Sequence, residues 1–459
     1  MNEHQRLLAN ESVGKLILKY SLPAIIGMLV NGLYNVVDRM FIGNIPGVGH
    51  LAISGLGVTL PIMTIIMAFG VLIGIGSATN ISIKLGEGKQ EQAQKILGTA
   101  ILLNLTLGIV LSIIGLVFVD SILMIFGASP DSLPFAKEYI IIILIGATFN
   151  ITAMSLTNLM RSDGRPKLSA TIMATGCFIN IILDALFIFG FGLGIAGAAL
   201  ATVISQFITA TWALLYFFKG KSNVPFFKKN LRLRKEQVLP ILAIGAAPFI
   251  MQVAMSGVQI ICNNSLKIYG GDMAIGAFAT ISSIMLMTGT PIIGLAQGSQ
   301  PIVGFNFGAK QYHRANKALK INVTFAGIYL LAGMIMIQLI PEVLVNPFSG
   351  DNPELVAMTV TGLKRYTIVL PLLGPSMLGT QYIQAIGKAK LAMVLSLMRQ
   401  VLLLIPLMII MPRLFGLTGI WFAQPIADTI TFFVTTYFVL REIRAQNQLS
   451  VDKQLIPVA

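Results

Sequence analysis

Residues 168–189 read LSATIMATGCFINIILDALFIF, and the nature of this stretch decides the fold. As a helix it is long enough to cross the ~30 Å hydrocarbon core of a bilayer. Inside it stand Asn180 and Asp184. A carboxylate at that depth is costly and marks a functional site by default. Asn180 precedes Asp184 by about one helical turn and shares its face. A second acid, Asp38, lies within the first apolar run.

The composition around this stretch is that of a polytopic membrane protein. Of 459 residues, 55% are hydrophobic and 11% charged, and the mean hydropathy is +0.83. A soluble globular chain is about 25% charged. The ~10-residue alternating segments of a membrane barrel are absent from the sequence. Twelve helices are predicted, roughly at 15–42, 51–83, 96–119, 135–160, 168–190, 194–218, 238–267, 274–306, 318–345, 362–386, 390–412 and 416–441. The first run is a full span, so a retained helix is expected rather than a removed signal peptide.

Charge supports the count. Of the 32 Lys and Arg, 25 fall in the N-terminus, the even-numbered loops and the C-terminus, and five in the odd-numbered loops. By the positive-inside rule both termini are cytoplasmic. The net charge of +14 is therefore a topology signal facing anionic lipid and not a nucleic-acid footprint. Cys177 and Cys262 both sit in apolar runs and read as small packing residues. His4, His50 and His313 all lie outside the spans, which disfavours a histidine metal site or a histidine-dependent protease. No Gly-x-x-x-x-Gly-Lys-[Ser/Thr] loop occurs, so an ATP motor is unsupported.

The chain repeats. Pro23 matches Pro248, Gly86 matches Gly308, Gly164 matches Gly387 and Gly192 matches Gly416, at offsets between 222 and 225 residues. Two six-helix halves in one orientation imply parallel repeats about an axis along the membrane normal, with a cavity between them. The expected division is a first lobe over 1–218, a basic cytoplasmic linker over 219–237 and a second lobe over 238–459.

Buried polar residues then fall into groups. The first helix carries Asn31, Asn35 and Asp38 on one face, the fifth Asn180 and Asp184, and the sixth Thr202, Gln206 and Thr209. Counting at ~1.5 Å per residue, Asp38, Asp184 and Thr202 lie about 7, 9 and 12 Å below the outer helix ends, which allows a shared site. Two carboxylates, an amide and a hydroxyl are hard oxygen ligands that suit Na⁺, and the same acids could carry protons. The repeat does not copy the pair: Asp38 corresponds to Asn263, and Asp184 to the Leu407/Met408 region. The seventh helix instead carries Gln252, Ser256, Gln259 and Asn263, a polar stripe suited to a wet, substrate-holding cavity. Arg399 and Asp428 form an intramembrane opposite-charge pair that reads first as structural. Arg39 is expected to snorkel to the outer interface. Pro23, in the first helix, is a hinge candidate.

At these residues the chain resembles the multidrug and toxic compound extrusion family, in its bacterial DinF-like and MepA-like branch. The likeness spans nearly the whole chain. It rests on Leu22-Pro23, Tyr34 to Asp38, Leu85-Gly86, Arg161 to Lys167, Asn180 to Phe189 and Gly197 to Leu200. The resemblance implies a monomeric, cofactor-free secondary transporter of the cell membrane. It would export cationic and amphipathic drugs in exchange for H⁺ or Na⁺ by alternating access of two lobes. It also implies an ion or proton site of Asp38, Asn180, Asp184 and Thr202. MepA-like members can lack the acid in the first helix, and Asp38 brings this chain closer to the DinF-like pattern there. The acids that NorM-like members carry in helices 7 and 8 have no match here, so no second-lobe cation site is implied. Two other readings are weighed. A lipid-linked oligosaccharide flippase of the same superfamily would need cavity cations, and only Arg39 and Arg399 are span-embedded. An intramembrane aspartyl protease would need a Gly-x-Gly-Asp context, whereas Val37 precedes Asp38 and Leu183 precedes Asp184.

Overall fold

In the computed structural model the described residues are 3–43, 45, 49–126, 130, 132–219, 222–349 and 353–455. Among them the chain is helical, with no strand. In a bilayer this follows from the backbone: without water, every N–H and C=O must be satisfied within its own segment or by a closed barrel.

The first six spans are α1 (Val13–Gly43), α2 (Gly49–Gly86), α3 (Gln90–Val117), α4 (Leu133–Ile145 with Ala147–Ser162), α5 (Pro166–Gly190) and α6 (Gly194–Phe218). The next four are α7 (Lys235–Gly271), α8 (Met273–Gly308), α9 (Tyr312–Leu339) and α10 (Pro353–Tyr366 with Leu370–Ala385). A continuous helical stretch, Ala389–Gln448, follows. At ~1.5 Å per residue it would run about 90 Å, three bilayer cores. It turns at Gly416, whose φ of 58° and ψ of −142° only glycine adopts readily, giving α11 before the turn and α12 after it. The result is twelve membrane helices in two six-helix lobes.

Three details depart from the sequence reading. Both α4 and α10 are bent, by 55° and 52°. In α4 the bend falls at Gly146, where a Cβ would overlap Val203 of α6. In α10 it falls just before Pro371, which has no N–H to continue the ladder. Third, α9 starts at Tyr312, not near 318, because Arg314, Lys317 and Lys320 belong to the helix instead of a loop. Arg314 donates to the carbonyls of Leu8 (3.0 Å) and Glu11 (2.6 Å), tying the start of α9 to the N-terminal segment.

The lobes meet backbone to backbone at the end of the molecule where the chain begins. A Cβ at Gly86 (α2) would overlap the Phe305 carbonyl, and one at Gly308 (α8) the Ile83 carbonyl. These contacts are repeat mates, since both pairs are related by 222 residues. Likewise Gly76 abuts Ile241 and Gly245 of α7, while Gly298 abuts Ser21 of α1. Polar contacts across this seam are few. Gln300 donates to Thr79 Oγ1 at 2.5 Å and Ser21 Oγ to the Leu295 carbonyl at 3.4 Å. Further along the same helices Gly32, Gly257 and Gly289 face open space. Gly289 is only about 7 Å along α8 from Gly294, which is packed on Ile25. The glycine-on-backbone contacts between the lobes are thus gathered toward the N-terminal end. Pro23 sits inside the unbroken α1 helix, at the edge of this seam.

The segment between α6 and α7 is built onto the first lobe. Buried Asp163, after α4, accepts from the Val224 N–H (2.8 Å), the Asn223 N–H (3.1 Å) and the Tyr216 hydroxyl. Gln90 donates to the Asn223 carbonyl at 3.1 Å and Thr99 to the Arg232 carbonyl at 3.0 Å.

Two predictions follow from these contacts. Gly308→Leu should strain the seam by about 1–3 kcal/mol. In a cysteine-free background, labelling of Thr79→Cys by an impermeant thiol reagent applied from the N-terminal side should then rise on the order of tenfold. Unchanged labelling would mean the seam does not carry the closure. The second concerns Asp163, whose carboxyl burial pushes up from 3.8 to about 6, against the opposing pull of its hydrogen bonds. The folded state thus binds this proton more tightly than the unfolded chain. Its stabilising contribution is complete below about pH 4 and is lost as pH rises through about 6. The displacement is worth on the order of 3 kcal/mol. The melting temperature of the wild type relative to Asp163→Asn should fall across that window and level off above it.

Candidate functional site

Small residues let three helices of the first lobe close on one another. A Cβ on Gly27 of α1 would sit 3.7 Å from Ala170 of α5, and one on Gly197 of α6 would press to 3.0 Å from Phe187. Gly176 of α5 lies against the Thr209 hydroxyl. Such close approach is the usual way membrane helices pack, since lipid supplies no hydrophobic drive between them.

The polar residues converge at this junction. Asp184 and Asn180 of α5, Thr202 of α6 and Asp38 of α1 are all buried. Asp38 and Asp184 come within hydrogen-bonding range of each other. The neighbours of Asn180 set its amide. The nitrogen donates to Asp184 Oδ2 at 3.0 Å, and the oxygen accepts from the Thr202 backbone N–H at 3.1 Å. No donor among the described residues reaches Asp184 Oδ1. Two carboxylates this close repel in a medium of low dielectric, and a proton or cation between them relieves the repulsion. Directly after Asp184, the last turn of α5 widens to a π-helix over Leu186–Gly190. Turns of this kind recur at functional sites.

Two tyrosines complete the site. Tyr34, one turn before Asp38, and Tyr139, on α4, both stand near Thr202 and within electrostatic reach of both acids. The sequence offered a signal for Tyr34, its spacing from Asp38. Tyr139 reaches the site from the half of α4 before its bend, Leu133–Ile145, which carries no buried charge, so nothing in the sequence marked it. Asn31 bonds Cys177 instead of the acids. Gln206 is half-buried one turn beyond Thr202, and Thr209 turns to the Ser205 carbonyl. The side chains of Asn35 and Arg39 lie outside the described residues. Among the described residues, no cluster of three His, Cys, Asp or Glu exists to hold a divalent metal.

The MatE family model matches this chain twice, over residues 23–186 and 248–410, so each lobe is one copy. The chain belongs to the MatE family. These proteins are secondary transporters and not enzymes. A curated relative, "Multidrug export protein MepA" of Staphylococcus haemolyticus (strain JCSC1435), is 31% identical over 99% of this chain and 98% of its own length. The corresponding protein of Staphylococcus aureus (strain MSSA476) is 31% identical over 96% of each. Among solved structures, an outward-facing multidrug resistance MATE family transporter of the MOP superfamily superimposes with a TM-score of 0.91. It is 23% identical and covers 98% of this chain and 99% of its own.

The second copy of the MatE unit holds a different polar centre. Arg399 Nε donates to Asp428 Oδ1 at 2.8 Å, and Gln424 Nε2 lies 3.0 Å from both carboxylate oxygens. Tyr366 packs beside this ion pair. The α7 stripe runs from half-buried Gln252 and Ser256 to exposed Gln259 and Asn263, and Gln259 donates to Asn263 Oδ1 at 3.1 Å.

Removing one partner of a buried pair leaves an uncompensated charge, at a cost of about 3–5 kcal/mol. Asp428→Ala should lower thermal stability in detergent accordingly, and Arg399→Met with Asp428→Leu should recover most of the loss. A single-variant loss under about 1 kcal/mol would place the pair with weak surface bridges.

Proposed function

We propose that this MatE protein is a multidrug efflux antiporter of the cell membrane, exporting cationic and amphipathic compounds in exchange for H⁺ or Na⁺. The observation that carries this reading is the buried Asp38–Asp184 contact, with its undonated Asp184 Oδ1. Such a pair changes its energy sharply when a positive charge enters or leaves, which is what a coupling site needs. Asp38, Asn180, Asp184 and Thr202 are the residues assigned to that site. A proton can join the acids with the Asn180 amide as it stands. Na⁺ would require the amide to rotate, so that its oxygen and not its nitrogen faces Asp184.

Both termini are assigned to the cytoplasm from the charge of the loops. The sealed end then faces the cytoplasm, and the lobes are proposed to part on the outer side. The first lobe is taken as 1–218 and the second as 238–459, joined by the basic segment 219–237. Gln252, Ser256, Gln259 and Asn263 on α7, with Asn35 and Gln206, are proposed to contact substrate. Loading the acid pair would shift α1 about its Pro23 region and loosen the seam against α8, so that the two lobes alternate. The protein acts as a monomer amid lipid, without nucleic acid or cofactor. Arg399 is neutralised by Asp428, which leaves a flippase reading short of the cation it needs there.

The test is efflux of a cationic dye from proteoliposomes, driven by a pH gradient alone and then by a Na⁺ gradient alone. Asp184→Asn should abolish efflux under whichever gradient drives it, while leaving the melting temperature unchanged or raised, since it removes a buried charge. Full gradient-driven efflux by Asp184→Asn would sink the assignment.

A further inference from the structure

A groove of ≈ 780 Å³ opens on the second lobe between α9, α10 and α12, away from the acid pair and from the Arg399–Asp428 pair. Its mouth is basic: His313, Lys317 and Lys320 project from one stripe of α9 and are exposed. No carboxylate stands among its lining residues. Its depth is apolar, reaching Val323 on α9 and Phe432 on α12. Gly379 leaves it room, since a Cβ there would come 2.8 Å from Thr435. Thr435 lines the groove, and among the described residues its buried Oγ1 has no hydrogen-bond partner.

Three observations identify what fits. The first is length. From His313 to Val323 the groove runs about 15 Å along α9, half of the ~30 Å bilayer core, which is the reach of one leaflet. The second is polarity, with cations at the interfacial end and hydrocarbon walls beneath. The cations also repel a cationic drug. The third comes from the repeat. With the 222-residue offset, Lys320 corresponds to Gly98 of α3. In the first lobe that face is covered by the chain itself: Asn230 lies on Gly98, and Thr99 bonds the Arg232 carbonyl. Among the described residues, no such segment covers the second-lobe groove.

We propose that this groove is a binding site for an anionic phospholipid. The phosphodiester sits at the rim between Lys317 and Lys320, and an acyl chain lies against Val323, Pro375 and Phe432. The volume falls within the ~300–1,000 Å³ of ligand sites, enough for a headgroup region and part of one chain. The bound lipid does for the second lobe what residues 222–232 do for the first. The site is at the N-terminal end of the molecule, as the Arg314 bonds to Leu8 and Glu11 establish, so it does not depend on the assigned direction of transport.

Protein is reconstituted in vesicles of equal phosphatidylglycerol and phosphatidylcholine, re-extracted in mild detergent and examined by native mass spectrometry. The wild type should retain phosphatidylglycerol after phosphatidylcholine has been stripped. Lys317→Glu with Lys320→Glu, at exposed positions that do not disturb packing, should reduce that retention to the phosphatidylcholine level. Thr436→Trp, which plugs the groove from α12, should do the same. Undiminished retention in the charge-reversed variant, or equal retention of both lipids by the wild type, would overturn the proposal. Neither readout depends on transport, so the outcome is independent of whether drug efflux is found.

Discussion

Two carboxylates in contact inside a helix bundle cannot stay there without a positive partner. At close range in a low dielectric the repulsion between them far exceeds what it would be in water. Asp38 and Asp184 meet under that constraint, held from three helices. The described neighbours of Asp184 fix its geometry without supplying a charge. Asn180 gives one hydrogen bond to Asp184 and takes one from the Thr202 backbone. Tyr34 and Tyr139 stand beside Thr202 and near the acids. Among the described residues no basic side chain reaches Asp184. A site that wanted only stability would have been neutralised from within, as the second lobe does with Arg399 and Asp428.

That contrast shows how a duplicated scaffold divides its labour. The two MatE copies share helix order, the bends in α4 and α10, and the reciprocal Gly86 and Gly308 contacts. They differ in what they bury. Backbone features are copied because both lobes obey the same packing rules. Buried charges are not copied, because each is costly and is kept only where it acts or is paired.

Much of this was legible in the sequence. Twelve helices followed from run length and from the alternation of basic loops, since both reflect the bilayer directly. Asp38, Asn180, Asp184 and Thr202 could be singled out because a polar group in hydrocarbon is conspicuous by its cost. What was not legible depends on neighbours. The bend at Gly146 is set by Val203 of another helix. The start of α9 at Tyr312 was hidden because cations usually signal a loop, and here they belong to a helix whose flank is a groove. Tyr139 is an ordinary apolar-run tyrosine until α4 is folded against α6.

The seam between the lobes follows a different logic from either charged centre. It is made of glycine against carbonyl and carries few polar bonds, such as that from Gln300 to Thr79. Dispersion across such a surface is large in sum but small per contact, and it is lost quickly when the surfaces part. A salt-bridged seam would leave unpaired charges on opening, whereas this one exposes mostly glycine and aliphatic surface. Apart from Arg314, which bonds the Leu8 and Glu11 carbonyls, it can therefore part without stranding charge. Because residues 222–232 are fastened to the first lobe by Asp163, Gln90 and Thr99, only the short stretch just before Lys235 is left to absorb relative motion. The same bonds that order the basic segment thus confine the pivot between the lobes to the N-terminal approach of α7.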